Sequence, residues 1–447
     1  MKLKKLQVLK KIKQSITKLT FLKVSRFLFC AFVFLIPFQI DVVVYTSPVY
    51  EGGNFNPYTS VFYYLADIVF LLSLISWGIA IFSGEFKQKL TYGRRFVFLL
   101  LILFVLACQI SVIFAEDSWL SLMLSIRFLE LIIVYLYMVN DIVKLDTIIN
   151  VFIASVSFQA AIAIMQYIKQ GSIGLHFFGE PMIAPETPGI AKMNIDGVNI
   201  IRSYGTFQHS NILAGYLLTG IFLTFYRVRQ KEHLAYPIMI LLLAALVLTF
   251  SRSAILALVV ASLVFISIKD MKVSFKYFFL ALSLFVFFVV IFNLEGTIFN
   301  RLLFTDTGSF DERVFYFSIA KKMMYLQPFG VGLGNFTFAM PDFTAVKLAP
   351  WDFQPVHNIY MLLINEIGFV GLGIFATLLV LMVISLFAHQ NKFKSEKPDA
   401  GVFILAALIA LAVVGLFDHY LVSLYQGQLL LFLVLGLSGG YLMTKIR

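Results

Sequence analysis

Long apolar runs separated by short polar connections fill most of the chain. Measured against roughly 30 Å of hydrocarbon, which a helix crosses with about 20 residues, they predict spans at 24–44, 62–83, 96–115, 120–139, 147–168 and 207–226. Six more follow at 234–250, 253–268, 275–293, 357–388, 401–417 and 424–443. The turn "TFSRSA" between the seventh and eighth is the narrowest division. Two connections are long, 169–206 and 294–356, and the rest are read as tight. The pattern predicts an all-α polytopic membrane protein of about twelve helices, with one membrane domain over 24–443, a tail over 1–23 and a short tail over 444–447.

Charge orients this arrangement, because cytoplasmic loops are enriched in Lys and Arg. The first 26 residues carry nine basic side chains and no acid. Threading the spans from there puts 25 of the 35 basic residues on the same side. Both termini are therefore expected in the cytoplasm, and both long connections on the outer face. The basic tail is too long for a secretory signal, and no small-residue cleavage site follows the apolar run, so the first span reads as uncleaved. The net charge of +11 belongs to loops and tail and gives no nucleic-acid signal.

Composition agrees. Hydrophobic residues make up 60% of the chain and charged residues 13%, against roughly 45–50% and 25% in soluble domains. The two cysteines, Cys30 and Cys108, lie in apolar runs and offer neither a disulfide framework nor a metal-ligand spacing. Within the spans, Asp67, Arg127, Glu130 and Glu366 stand out, since a mid-helix charge costs about 2.5–3.5 kcal/mol on insertion scales. Arg127 and Glu130 share a helix face and can pair, with Asp67 as a third member. Glu366, nine residues after His357, is too far along the helix to touch it and is expected to fix a neighbouring helix.

Basic residues kept on the outer face need either solvent or a ligand. Four of the nine placed there are arginines, whose planar fork suits bidentate anion recognition. Arg202, Arg252 and Arg313 each fall at or near the outer end of a helix; the competing reading for any one is an interfacial arginine reaching lipid headgroups. Arg301 is undecided. In the longer connection, Ser309 or Asp311 can cap a helix whose last turn holds Lys321 and Lys322, ended by Pro328 and the glycines of "PFGVGLGNF".

His357 opens the tenth span, and a histidine can take and release a proton near neutral pH. The alternative for such a residue is a hydrogen-bonded helix cap. His209 and His419 are on the same face and are possible helpers, whereas His233 and His389 are expected in the cytoplasm and His176 has no chemical neighbour in sequence. The chain lacks GxxxxGK[ST], HExxH, clustered His and Cys, and Asp-x-Asp. "GVGLGN" follows no strand pattern and reads as a turn rather than a dinucleotide cradle. Neither a cofactor nor a metal is expected.

Four stretches, "RSYGTFQHSNILAGY" (202–216), "FSRSAILAL" (250–258), "DERVFYFSIAKKMMYLQPFGVGLGNF" (311–336) and "HNIYMLLINEIGFVGL" (357–372), resemble in order and spacing the O-antigen ligase and polymerase superfamily of bacterial membrane glycosyltransferases. With the span pattern, the resemblance covers roughly residues 60–440. It implies an all-helical, metal-independent glycosyltransferase in the cytoplasmic membrane, with its active site on the extracytoplasmic face. Such an enzyme takes a glycan from undecaprenyl diphosphate and passes it to a hydroxyl acceptor: a lipid-linked glycan, a lipid A core or a protein. By the same resemblance His357 is the candidate base and Arg202, Arg252 and Arg313 hold the diphosphate. His209, Asn211 and Asn358 are further candidate substrate-binding residues. "FQHSN" stands where many relatives have glycine or proline beside the asparagine, which bears on the role of His209. The second reading of the chain is a transporter or flippase of lipid-linked sugars, which would gather its polar residues and helix breaks near the midplane.

Overall fold

The computed structural model describes residues 20–47, 55–195, 198–263, 307–349, 352–392 and 399–444. It is mostly helical. The helices are α1 (Phe21–Leu35), α2 (Leu65–Phe82), α3 (Arg95–Ser111), α4 (Ser118–Val139), α5 (Leu145–Lys169), α6 (Ser210–Arg229) and α7 (Ala235–Leu248). They continue with α8 (Arg252–Ser262), α9 (Thr307–Leu326), α10 (Ile359–Lys392), α11 (Ala400–Val414) and α12 (Tyr425–Thr444). Among the described residues seven segments are long and apolar enough to cross a membrane, and α7, α8 and α11 are shorter apolar helices. The expected ninth span, 275–293, lies outside the described residues, as do Arg301, most of the basic tail and residues 445–447.

Several expectations are corrected. The apolar run predicts a first span over 24–44, but α1 stops at Leu35, just before Pro37, and the β-branched run that follows forms a strand. This strand, β1 (Asp41–Thr46), pairs antiparallel with β2 (Ser60–Tyr64), so a supposedly tight connection is a hairpin. A second antiparallel pair, β3 (Lys192–Ile195) and β4 (Val198–Ile201), lies in the 169–206 connection. Helix α9 (Thr307–Leu326) has Ser309 and Asp311 inside it rather than at its cap; it runs on to Leu326, so Lys321 and Lys322 precede its last turn.

Burial ranks the helices. In the most apolar window of both α6 and α12, 94% of residues are buried, against 28% in α2 and 33% in the α3 segment. The two central helices are nevertheless less apolar than the outer ones, because a bundle interior favours small and hydrogen-bonding residues while the lipid-facing helices must be greasy throughout. Helix α6 packs against α7 and α11, and α12 against α4.

The buried charges pin the first hairpin to this core. Arg127 on α4 pairs with Asp67 at 2.8 Å and Glu130 at 3.3 Å, and donates to the Phe62 carbonyl on β2 at 2.6 Å. Its guanidinium lies 4.5 Å from the ring centre of Tyr425, whose hydroxyl donates to Asp67. Each charge is thereby compensated where isolated it would be costly.

Helix α10 is broken. Gly368 has φ 73° and ψ 178°, which interrupts the helical hydrogen-bond ladder. The glycine-rich turn fills the break: Val331 N donates to Asn365 O at 2.8 Å, Gly332 N to Glu366 O at 3.0 Å, and Phe369 N to Pro328 O at 3.3 Å. The Glu366 carboxyl faces the backbone N–H groups of Gly334 and Phe336. Glu366 thus fastens the "GVGLGN" turn, and every backbone group freed by the kink named here is satisfied within the protein, as a low-dielectric setting requires.

Candidate functional site

The two ends of the bundle differ chemically. At one, Arg227 near the end of α6 is closed off by Asp146 at 3.0 Å and Glu232 at 3.2 Å. At the other, the start of α6, the start of α10 and the connection after α11 converge, and with them His209, His357, Asp418 and His419.

His209 is the N-cap of α6, its ring Nδ1 accepting from Asn211 N at 3.1 Å. Asn211 is a bridge: its amide donates to Asp418 Oδ2 at 2.7 Å, while its oxygen accepts from Arg202 Nη2 at 2.5 Å. Asp418 Oδ1 accepts from His419 N at 2.9 Å. The rings of His357 and His419 meet edge to face with centres 5.1 Å apart. Tyr58, carried on the turn before β2, stands edge-on to His419 at 5.2 Å, and Tyr316 on α9 lies 6.1 Å from His357. Ring Nδ1 of His357 is buried and has no hydrogen-bond partner among the described residues.

Asn358 has a structural task. Its side-chain oxygen accepts from Tyr360 N and Met361 N, both at 2.9 Å, which caps α10, and its amide donates to Leu416 O at 3.0 Å. With Ile359 N donating to Gly415 O at 2.8 Å, this sews the start of α10 to the connection carrying Asp418. The cap of α10 is therefore Asn358, and the His357 ring is left to the cluster.

The arginines converge unequally. Buried Arg202 donates from Nε to Thr249 O at 2.6 Å, which brings it to the turn between α7 and α8 where half-buried Arg252 begins α8. That turn contains Phe250 at φ 48°, a left-handed conformation that costs a non-glycine residue about 1–3 kcal/mol and clusters at functional sites. Arg313, half-buried on α9, is close enough for its charge to oppose protonation of all three histidines.

Burial, reinforced for His209 by Arg202 and for His419 by His357, pushes both imidazoles down to about 3, although Asp418 pulls the other way. Burial also holds His357 below its ordinary value, opposed by Asp418 and aided by Arg313. For Asp418, burial favours the neutral acid, but the imidazoles of His419, His357 and His209 and the Asn211 amide outweigh it and hold the carboxyl at about 2. At neutral pH the cluster is three neutral imidazoles around one carboxylate, which is an arrangement that can accept a proton and stabilise it. Among the described residues no group of three His, Cys, Asp or Glu side chains could hold a metal ion.

Residues 237–376 match the family model described as O-antigen ligase. That stretch is similar to an O-antigen ligase domain. The match supports membership of the O-antigen ligase and polymerase superfamily and glycan transfer of that general type, with lipid-linked glycan donors and acceptors and a bacterial inner-membrane setting. A comparison with curated proteins finds no match. The matched segment includes Arg252, Arg313, His357, Asn358 and Glu366; Arg202, His209, Asn211, Asp418 and His419 join the site from outside it.

Asp418 and Tyr58 have no sequence signal of their own. One clue existed for the first: "FDHY" (417–420) sets an acid beside a histidine in the short connection between the last two spans, which the helix count expects on the same face as His357.

Proposed function

We propose that the protein transfers a glycan from undecaprenyl diphosphate to a hydroxyl acceptor at the outer face of the cytoplasmic membrane, as an O-antigen ligase or a surface polysaccharide polymerase. The observation that carries this reading is His357: a neutral, half-buried imidazole whose buried Nδ1 has no partner among the described residues, at the mouth of α10, beside an ionised Asp418 and within the field of Arg313.

His357 removes the acceptor hydroxyl proton as the oxygen attacks the anomeric carbon, and Asp418 stabilises the imidazolium that forms. The diphosphate departs from the opposite side, so a single displacement inverts the anomeric centre. Charge developing on the leaving group is met by Arg252 and Arg313, with Arg202 supporting the turn that presents Arg252, so no metal is required. Asn211 and His209 hold Asp418 and the start of α6. Ligase and polymerase chemistry share this donor half and differ in the acceptor.

The transporter reading draws support from the break in α10, since broken helices mark many transport sites. Here the turn 328–336 plugs that break with its own backbone, and the ionisable cluster sits at the helix mouth, which favours catalysis.

Glycan transfer by His357→Ala and His357→Asn at matched protein levels tests the proposal, with the wild type also assayed in excess EDTA. A positioned general base contributes about 10²–10⁴-fold, and both variants are expected to lose that much while folding normally. An active asparagine variant would reduce His357 to a structural residue.

A further inference from the structure

Beside His419 lies a small cavity of about 30 Å³ with a mixed polar and apolar lining, to which Tyr58, Ser60, Thr337, Glu366, Ser423 and Gln428 contribute the polar side chains. The volume holds one or two waters, and its wall offers Thr337 Oγ1, a buried hydroxyl with no hydrogen-bond partner among the described residues. One end belongs to the site. Ser423 Oγ lies 2.6 Å from His419 Nδ1 and also donates to the His419 carbonyl at 3.0 Å. With its proton spent on that carbonyl, the hydroxyl can only accept from the ring, so His419 carries its proton on Nδ1 and presents a bare Nε2. The other end is Glu366, which lines the cavity beside the backbone N–H groups of Gly334 and Phe336.

Resting on the transfer reaction proposed above, we infer that His419, Ser423 and Glu366 form a proton relay from His357 into this cavity. It serves when donor and acceptor cover the outer mouth and close the direct route to water. The bookkeeping balances. As the acceptor oxygen bonds to the anomeric carbon, the carbon–oxygen bond to the diphosphate breaks and its electron pair leaves with the phosphate. The acceptor proton goes to His357 and then to Nε2 of His419, whose Nδ1 proton passes to Ser423. The Ser423 hydroxyl turns its own proton toward a cavity water and so to Glu366. The charged and titratable groups around His419 are Asp418, which favours the charged ring, and His357, His209 and Arg313, which oppose it. Tyr58 packs on its edge, and Cys108 is the titratable neighbour of Glu366.

Glu366 also fastens the glycine-rich turn through its carbonyl, so the decisive variant is Glu366→Gln, which keeps the size of the side chain and an accepting oxygen but cannot take up a proton. Expected for Glu366→Gln and Ser423→Ala is a loss of about tenfold in kcat, below the 10²–10⁴-fold of a group that acts directly on the substrate, with KM for the donor unchanged. The double variant should fall no further than either single, and Ser423→Thr, which keeps the hydroxyl, should recover most of the loss seen with alanine. A folded Glu366→Gln protein with wild-type kcat and pH profile overturns the relay and leaves Glu366 as a clamp. Nitrogen-15 spectra of labelled histidines in the purified protein need no glycan: the His419 signal should report an Nδ1–H tautomer in the wild type and change in Ser423→Ala. Seeing that change in a protein without transfer activity supports the His419–Ser423 contact while removing the proposed function. An Nε2–H tautomer in the wild type overturns the relay whatever the activity.

Discussion

Asn211 and Asp418, 207 positions apart in the chain, are joined by a hydrogen bond of 2.7 Å that ties the start of α6 to the connection after α11. Among the described residues Asp418 is the one carboxylate that acts on all three histidines, so what holds it bears on their basicity. Asn211→Ala removes one of its donors, a loss of about 1–3 kcal/mol for a buried charged acceptor. Asp418→Asn should act on rate and on pH together. The wild-type rate should fall on the acid side only below about pH 6.5, because His357 is held under its ordinary value. Without the carboxylate the imidazole becomes less basic still, so the acid limb should move to lower pH while the plateau drops. A plateau and limb identical to wild type would remove Asp418 from the mechanism.

Lysine in place of arginine separates recognition from charge. Arg202 uses Nε and Nη2 toward two different partners, Thr249 O and Asn211, and no lysine reproduces that fork. Arg202→Lys is expected to lower both thermal stability and transfer. Arg252→Lys and Arg313→Lys should lower transfer with little change in melting temperature. If those two behave as wild type, they are lipid-facing anchors.

The break in α10 predicts an asymmetric glycine scan. A Cβ at Gly368 would meet the Phe329 carbonyl carbon and oxygen at 2.8 Å, and one at Gly330 would meet Glu366 O at 2.5 Å; both residues have positive φ. Alanine at either should cost more than about 1 kcal/mol and reduce transfer by displacing the half-helix that carries His357. Gly373, farther along the same helix, has nothing within 4 Å of the place a Cβ would take, and Gly373→Ala should be neutral or slightly stabilising. Equal melting temperatures for all three would contradict the plugged kink.

Membrane orientation is open to chemical labelling. Exposed Glu186 lies in the connection leading to Arg202, and exposed Lys231 lies at the opposite end of α6. In a background without Cys30 and Cys108, Glu186→Cys should react with an impermeant maleimide in intact spheroplasts and Lys231→Cys should not. The reverse pattern would put the histidine cluster on the cytoplasmic side.

Much was legible in the residues alone. Crossing a membrane requires an apolar run of a length set by the bilayer, and that requirement acts on contiguous sequence, so α2 to α6, α10 and α12 fall within a few residues of the runs that predict them. The Arg127, Glu130 and Asp67 group was readable for the same reason: a charge in such a run must be paired. His357 could be singled out by its place at a helix mouth, and the family resemblance by four separate motifs. Tertiary structure decided the rest. That His209 and Asn358 serve as helix caps, that Asn211 bridges Arg202 to Asp418, and that "GVGLGN" closes a break in α10 all depend on which groups meet across the bundle. Periodicity reports only which face of a segment leaves water. The partner of a buried polar group is chosen by packing between distant segments, where every donor and acceptor has to be satisfied at once, and that choice leaves no mark in any one stretch of the chain.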